Sequence, residues 1–252
     1  MVNRSIYGIM VGSSPSWHGS GISPVLRSDV GKENRVPYPV WCILGDGEPV
    51  LVDTAFREDV AGEWANGKDY RDPGELLAGL GLKKEDVRKV VVTHLHIDHF
   101  TGYRHFPNAR FYIQKREIDF WRGDIMRFQA ARRAANRTMM LDLVDMMSGG
   151  RVVVVDGDAE VAPGVKVMLA GGHTPGLQMV SVATAGGTAV LASDNAYLRY
   201  NIDKEEPVGY FWDLRECLLA LERAKAEASS ADMVIPGHDI STWGDRRVVR
   251  VA

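Results

Sequence analysis

Short apolar runs rich in Val and Ile, each stopped by Gly, Pro, Asn or Asp, alternate along the chain with stretches whose apolar positions recur every three or four residues. This mixture of the two periods predicts an α/β fold. Ser5 to Gly12 alternates weakly and ends in Gly-Ser-Ser-Pro, which predicts an edge strand running into a loop. Ser13 to Pro39 is rich in Gly, Ser and Pro, so a long irregular segment is expected, with Trp17 set either to wall a pocket or to pack beneath the loop. Val40 to Leu44 and Val50 to Asp53 flank Gly45-Asp46-Gly47, a hairpin pattern whose Asp-Gly supplies the turn. Helices are predicted over Glu58 to Ala65 and over Asp72 to Leu80, the second opening on Asp-Pro. A helical turn over Lys84 to Val87 leads into the β-branched run Val90-Val91-Val92.

In the second half, Ala109 to Gln114 reads as a strand and Lys115 to Trp121 as a helix. Ile125 to Met147 carries Met126, Met139, Met140, Met146 and Met147 at helical spacing, with Arg127, Arg132, Arg133 and Arg137 between them. Such methionines are normally adaptable core and such arginines a solvated face, and a lid, pocket wall or subunit contact is the functional alternative. Arg151 to Val155 and Val165 to Ala170 are predicted strands, the second reached through Ala162-Pro163-Gly164. Gln178 to Thr184 and Thr188 to Ala192 form a hairpin about Gly186-Gly187. Asp213 to Ala228 is an amphipathic helix with Leu214, Leu218, Leu221 and Ala224 on one face, and Met233-Val234-Ile235 is the last strand before Pro236-Gly237-His238-Asp239. The two halves share an order of elements without repeating residues. One domain over 1–252, with a helical insertion near 122–148, is expected.

Composition narrows the partners more than the fold. At 252 residues, 45% apolar and 25% charged, the chain is long enough for a sizeable core. A net charge of −3 supplies no long-range attraction for nucleic acid or an anionic membrane, and no segment is long enough to span a bilayer. The first residues lack a signal-peptide core, and Cys42 and Cys217 read as reduced, buried residues, so a cytoplasmic protein is expected. The methionine-rich insertion offers apolar surface on which a homodimer is plausible.

Chemistry concentrates where strands end. Thr93-His94-Leu95-His96-Ile97-Asp98-His99 places four metal-binding side chains within six residues, directly after the valine run. A chain leaving a strand can fan alternate side chains toward one point, so His94 and His96 can share one ion while Asp98 and His99 reach a second. The donor types suit zinc and tolerate manganese, iron or cobalt. Solvated loop histidines are the bland alternative, and the tight spacing disfavours it. His173, Asp194 and His238 follow predicted strands in the same manner, whereas His18 and His105 do not.

The motif His-Leu-His-Ile-Asp-His after a valine-rich strand resembles the H-x-H-x-D-H signature of the metallo-β-lactamase superfamily. The resemblance implies a four-layer αββα sandwich with two divalent ions, His94, His96 and His173 on one, Asp98, His99 and His238 on the other, and Asp194 bridging them. It also implies that Asp53 braces the metal loop, where the residues by themselves leave a helix cap or turn residue equally open. A bridging Asp194 and the lack of a signal peptide count against antibiotic hydrolysis. Asp194-Asn195-Ala196-Tyr197, with a Tyr three residues after the bridging Asp, is similar to the quorum-quenching N-acyl homoserine lactonases. In them the tyrosine hydroxyl faces the substrate carbonyl. Packing alone is the alternative for Tyr197.

The implied activity is hydrolytic opening of a lactone by a metal-bridging hydroxide, with Tyr197 as donor to the oxyanion and Asp98 as proton shuttle. Leu177, where those enzymes commonly have His, and the Met/Arg-rich stretch depart from that family and leave the substrate open. A glyoxalase II-type thioesterase or other ester hydrolase is the alternative within the superfamily, and an iron-dependent oxygenase a further one. A thioester conjugate would need a basic pocket, which only the arginines of the insertion could supply.

Overall fold

The computed structural model describes residues 3–14, 35–60, 69–131 and 137–252. Twelve strands follow one another as β1 (Arg4–Ser14), β2 (Val36–Gly45), β3 (Val50–Val52), β4 (Lys89–Val91), β5 (Arg110–Gln114), β6 (Val152–Val155), β7 (Ala159–Ala162), β8 (Val165–Leu169), β9 (Gln178–Thr184), β10 (Gly187–Ser193), β11 (Val234–Pro236) and β12 (Val248–Arg250). Among the described residues six whole helices accompany them: α1 (Pro73–Ala78), α2 (Ile97–Phe100), α3 (Lys115–Arg122), α4 (Arg137–Ser148), α5 (Arg199–Lys204) and α6 (Leu214–Glu227).

The hydrogen-bonded path runs β11-β10-β9-β1-β2-β3-β4-β5-β6, with β12 on β1 and β7-β8 on β9. Alternation within each strand divides the core into three layers. Tyr38, Val40 and Cys42 of β2, with Val90 and Val92 at β4, pack under Leu77, Phe100, Ile118, Leu143 and Met146 from the helices of one side. Trp41 and Ile43 of β2 and Val91 of β4 point the other way, toward Val165, Val167, Val180, Val182, Ala189 and Leu191. Met179, Val190 and Ala192 then face Ile202 of α5 and Leu221 and Ala224 of α6. Helix, sheet, sheet, helix is therefore the layering, the four-layer sandwich expected from the motif. Strands with both faces buried read as continuous apolar runs for this reason.

Several local expectations change. Arg4–Ser14 lies inside the sheet, paired along its length with β2 and at Tyr7 to Ile9 with β12, so it is no edge strand. The irregular segment expected to reach Pro39 gives way to strand from Val36, and Trp17 and His18 lie outside the described residues, as does most of the helix expected over Glu58 to Ala65. The Met/Arg-rich stretch is a 3₁₀ turn over Asp124–Arg127 and the separate helix α4. In α6 the buried stripe is Cys217, Ala220, Leu221 and Ala224, while Leu214 and Leu218 are 46% and 39% exposed. At Cys217 the backbones meet closely: a Cβ on Gly172 would come within 2.7 Å of the Cys217 nitrogen. Cys42 and Cys217 are buried and free. Among the described residues no helix is long and apolar enough to cross a membrane.

Candidate metal centre

The chain leaves β4 and turns through His94, Leu95 and His96 into the short helix α2, so His96 keeps an extended backbone while Asp98 and His99 lie in the first helical turn. That change of conformation aims the side chains at two neighbouring points. His94, His96, His173 and Asp194 form one buried group, and Asp98, His99 and His238 a second. In the first, His96 Nδ1 lies 3.0 Å from both His94 Nε2 and His173 Nε2. Asp194 stands between the groups. Its Oδ2 is 3.3 Å from His173 Nε2 and 3.7 Å from His94 Nε2, and its Oδ1 is 3.2 Å from His99 Nε2 and 3.1 Å from His238 Nε2. Asp98 Oδ2 approaches the same two histidines at 3.4 and 3.8 Å. All seven residues singled out in the sequence thus meet, with Asp194 within reach of both groups.

The outward nitrogens are held by the surrounding fold. His173 Nδ1 donates to the Tyr210 carbonyl at 2.6 Å and His238 Nδ1 to the Pro37 carbonyl at 2.8 Å, which leaves each Nε2 as a bare lone pair when the ring is neutral. Asp53, in the left-handed region at φ 64°, accepts from His99 Nδ1 at 2.8 Å and from Thr93 N and Oγ1 at 2.7 and 2.9 Å. Asp53 therefore does brace the loop.

Burial and the neighbouring imidazoles hold His94 and His96 well below the ordinary histidine pKa, and burial lowers His173. Burial opposes charge on His99 and His238 too, but Asp194 and Asp98 outweigh it and raise both. Asp98 and Asp194 are pushed up by burial and pulled further down by the histidines around them, so both are carboxylates. Such a donor set fits divalent cations. His94 Nε2 and His173 Nε2 converge on His96 Nδ1, and one proton there could satisfy only one of them. His99 Nε2 is buried without a hydrogen-bond partner although two carboxylates face it. Imidazole and carboxylate are ligands that zinc and its neighbours accept.

Tyr197 is buried, with its ring 5.8 Å from that of His173 and 5.6 Å from that of His238, and its hydroxyl 3.4 Å from His173 Nδ1. Burial, then the charges of Asp194 and Asp98, raise its pKa well above the phenol value, so it keeps its proton. Beside His96 and His173 opens a cavity of about 380 Å³ lined by Phe120, Ile125, Phe128, Ala131, Tyr210 and Trp212 among others. None of its described lining residues carries a formal charge at neutral pH. Of the arginines of the insertion, Arg127 lays its guanidinium over the Phe128 ring at 4.7 Å, while Arg132, Arg133 and the side chain of Arg137 lie outside the described residues. Of the methionines, Met139 and Met146 are buried core, in line with the plain packing reading.

Sequence reading missed Tyr210, Pro37 and Glu117. Tyr210 had a signal in the run Tyr210-Phe211-Trp212 ahead of an amphipathic helix, but Pro37 acts through its carbonyl and Glu117 sits in an ordinary helical pattern.

Buried imidazole lone pairs turned on one another, at the strand ends of a layered sandwich, mark an α/β protein of the metal-binding kind. The match to protein families is more specific: residues 35–238 fit the model of the metallo-beta-lactamase superfamily, and the chain belongs to it. It is similar to an N-acyl homoserine lactonase of Bacillus cereus, 30% identical over 232 residues that cover 85% of this chain and 87% of the relative. Among solved structures it is similar to an N-acyl homoserine lactone hydrolase with the product N-hexanoyl-L-homoserine bound at the catalytic metal centre. That likeness has a TM-score of 0.75 at 22% identity, covering 96% of this chain and 95% of the other. AidC, a dizinc quorum-quenching lactonase in complex with a product, aligns at a TM-score of 0.69 and 16% identity, over 95% and 89% of the two chains.

Proposed function

We propose that the chain is a metal-dependent hydrolase that opens N-acyl homoserine lactones or related small lactones, with two divalent ions held by His94, His96 and His173, by Asp98, His99 and His238, and by Asp194 between them. The observation that carries this reading is Asp194, whose two carboxylate oxygens turn one to each histidine group. Zinc is the ion we assign, because the donors are imidazole and carboxylate. Bound there, the pair would supply a water of lowered pKa and a Lewis acid for the carbonyl oxygen.

The chain's own residues do the rest. Tyr197, kept protonated, donates to the carbonyl oxygen as negative charge gathers on it. Asp98, kept ionised, takes the proton from the attacking water and returns it to the ring oxygen when the carbon–oxygen bond of the lactone breaks, leaving a hydroxy acid. The cavity beside His96 and His173, whose described lining is aromatic and uncharged, takes the apolar acyl arm and excludes water. That lining favours a lactone over a charged thioester conjugate. We place this activity in the cytoplasm as quorum quenching, on one domain over 1–252 with an insertion near 122–148, acting on a small molecule and not on nucleic acid or a membrane. The exposed Leu141 and Val144 on α4 are where the homodimer would form.

A pH-indicator assay over short and long acyl homoserine lactones, plain lactones and an acyl thioester, with metal determined on the same sample, tests the reading. Chelator-sensitive lactone opening with two ions per chain is expected. Thioester turnover alone, or one iron with oxygen uptake and no hydrolysis, would overturn it.

A further inference from the structure

Glu117, in the first turn of α3, is completely buried, yet it is neither one of the proposed ligands nor part of the cavity. Its carboxylate meets four donors. Oε1 accepts from the Leu95 backbone N–H at 2.8 Å and from the Trp121 indole N–H at 2.7 Å. Oε2 accepts from the Thr174 hydroxyl at 2.7 Å and from the Gly176 N–H at 3.0 Å. Three of these four can only donate, so a full set of acceptor lone pairs is what the site requires. Burial pushes the Glu117 carboxyl up and the same four bonds oppose it.

The identity of the donors gives the carboxylate its meaning. Leu95 lies between His94 and His96, and Thr174 follows His173 directly. One oxygen therefore fixes the loop carrying two histidines, and the other fixes the loop carrying the third. The approach is close on the second side, since a Cβ on Gly176 would fall 2.1 Å from the Glu117 nitrogen. Trp121, tied to the same carboxylate, stands edge-on to His96 with ring centroids 5.7 Å apart. A buried acceptor shared by two loops specifies their separation, because neither can shift without leaving a donor unpaired.

We propose that Glu117 is a positioning residue for the metal centre, fastening the His94-Leu95-His96 loop to the His173-Thr174 loop and so setting the spacing of the three imidazole nitrogens. This rests on the metal reading above and concerns one of the two ions. Removing an outer partner of a metal ligand typically weakens affinity by about 10-fold to 100-fold. Glu117→Gln keeps the shape and replaces one acceptor oxygen by a donor.

The test is zinc titration of the metal-free full chain against a chromophoric chelator, for wild type, Glu117→Gln and Thr174→Val, with the thermal midpoint of each metal-free protein and the visible spectrum of each cobalt-loaded one. Wild type should take two ions. Glu117→Gln should bind one of them about 10-fold to 100-fold more weakly, hold the other unchanged and alter the cobalt bands. Thr174→Val, which removes one bond of the four, should weaken the same ion by a smaller factor. A Glu117→Gln chain of lowered thermal midpoint that binds both ions as tightly as wild type would make Glu117 an ordinary core group and overturn the proposal. Should Glu117→Gln not fold, Thr174→Val decides on the same criterion. A wild-type chain that takes up no ions overturns the metal reading and this proposal with it, whereas equal affinities in wild type and variants overturn this proposal alone.

Discussion

Asp53 Oδ2 and His99 Nδ1 lie 2.8 Å apart although 46 residues separate them along the chain. The contact joins the end of β3 to the first turn of α2 and fixes the His99 ring with Nε2 turned toward Asp98 and Asp194.

The Asp53→Asn variant tests what that contact does. Asn tolerates the left-handed backbone of this position, so the change isolates the carboxylate. Retention of the ion assigned to Asp98, His99 and His238 should fall by about 10-fold to 100-fold, with lactone turnover falling alongside. Metal analysis after dialysis against a chelator measures the first, and unchanged metal content would assign Asp53 to loop folding alone.

Tyr197→Phe removes one hydroxyl from a buried ring packed between His173 and His238. Lactone turnover should drop by about 10-fold to 100-fold, at or below the scale of one oxyanion donor, with KM little changed. Steady-state kinetics decide it, since a rate equal to wild type would leave the ring a packing role only.

Phe128→Ala opens the apolar wall of the cavity beside His96. Losing part of one aromatic contact is worth about 1 kcal/mol, so kcat/KM for long-chain acyl homoserine lactones should fall by roughly 5-fold. An unsubstituted lactone should be unaffected. Equal losses on both substrates would mean that the acyl arm lies elsewhere.

Asp69 accepts from Ser13 and Arg35 at 2.5 Å each and pairs with Arg247. Burial pushes its pKa up, and Ser13, Arg247 and Arg35 together bring it below the usual carboxylate value. A depressed folded pKa means that the contribution to stability is complete above the unfolded value and is lost as pH falls through the folded one. Asp69→Asn should therefore cost about 1 to 2 kcal/mol at neutral pH, and the difference should shrink below about pH 4. Urea unfolding of the metal-free proteins at both pH values measures it, and a pH-independent difference would contradict the assignment.

The metal cluster was legible because its residues are local: His94, His96, Asp98 and His99 share one strand end, and His173, Asp194 and His238 repeat its grammar. Cores buried on two faces were legible as valine runs. What could not be read is long-range. The Arg4–Ser14 pattern is weakly alternating whether its neighbours are one strand or three, so its central place is set by pairing partners that periodicity does not encode. Leu214 and Leu218 looked like core because they share helical spacing with Leu221 and Ala224, and the helix instead turns the side of Cys217 inward, where Gly172 brings the backbones together. Pro37 holds His238 through a carbonyl, a group every residue has, from 201 positions away.

The pairing of β1 with β12 bears on what shields the first strand. Ile6 donates to the Ala252 carbonyl at 2.9 Å and Val251 donates back to Ile6 at 2.9 Å, so one flank of β1 is closed by residues 248–252, from far along the chain. Without them, the backbone groups of apolar Ile6, Ile9 and Met10 would lie open on that side, a template for pairing with another copy. Removing residues 248–252 should therefore be felt as aggregation rather than as lost chemistry.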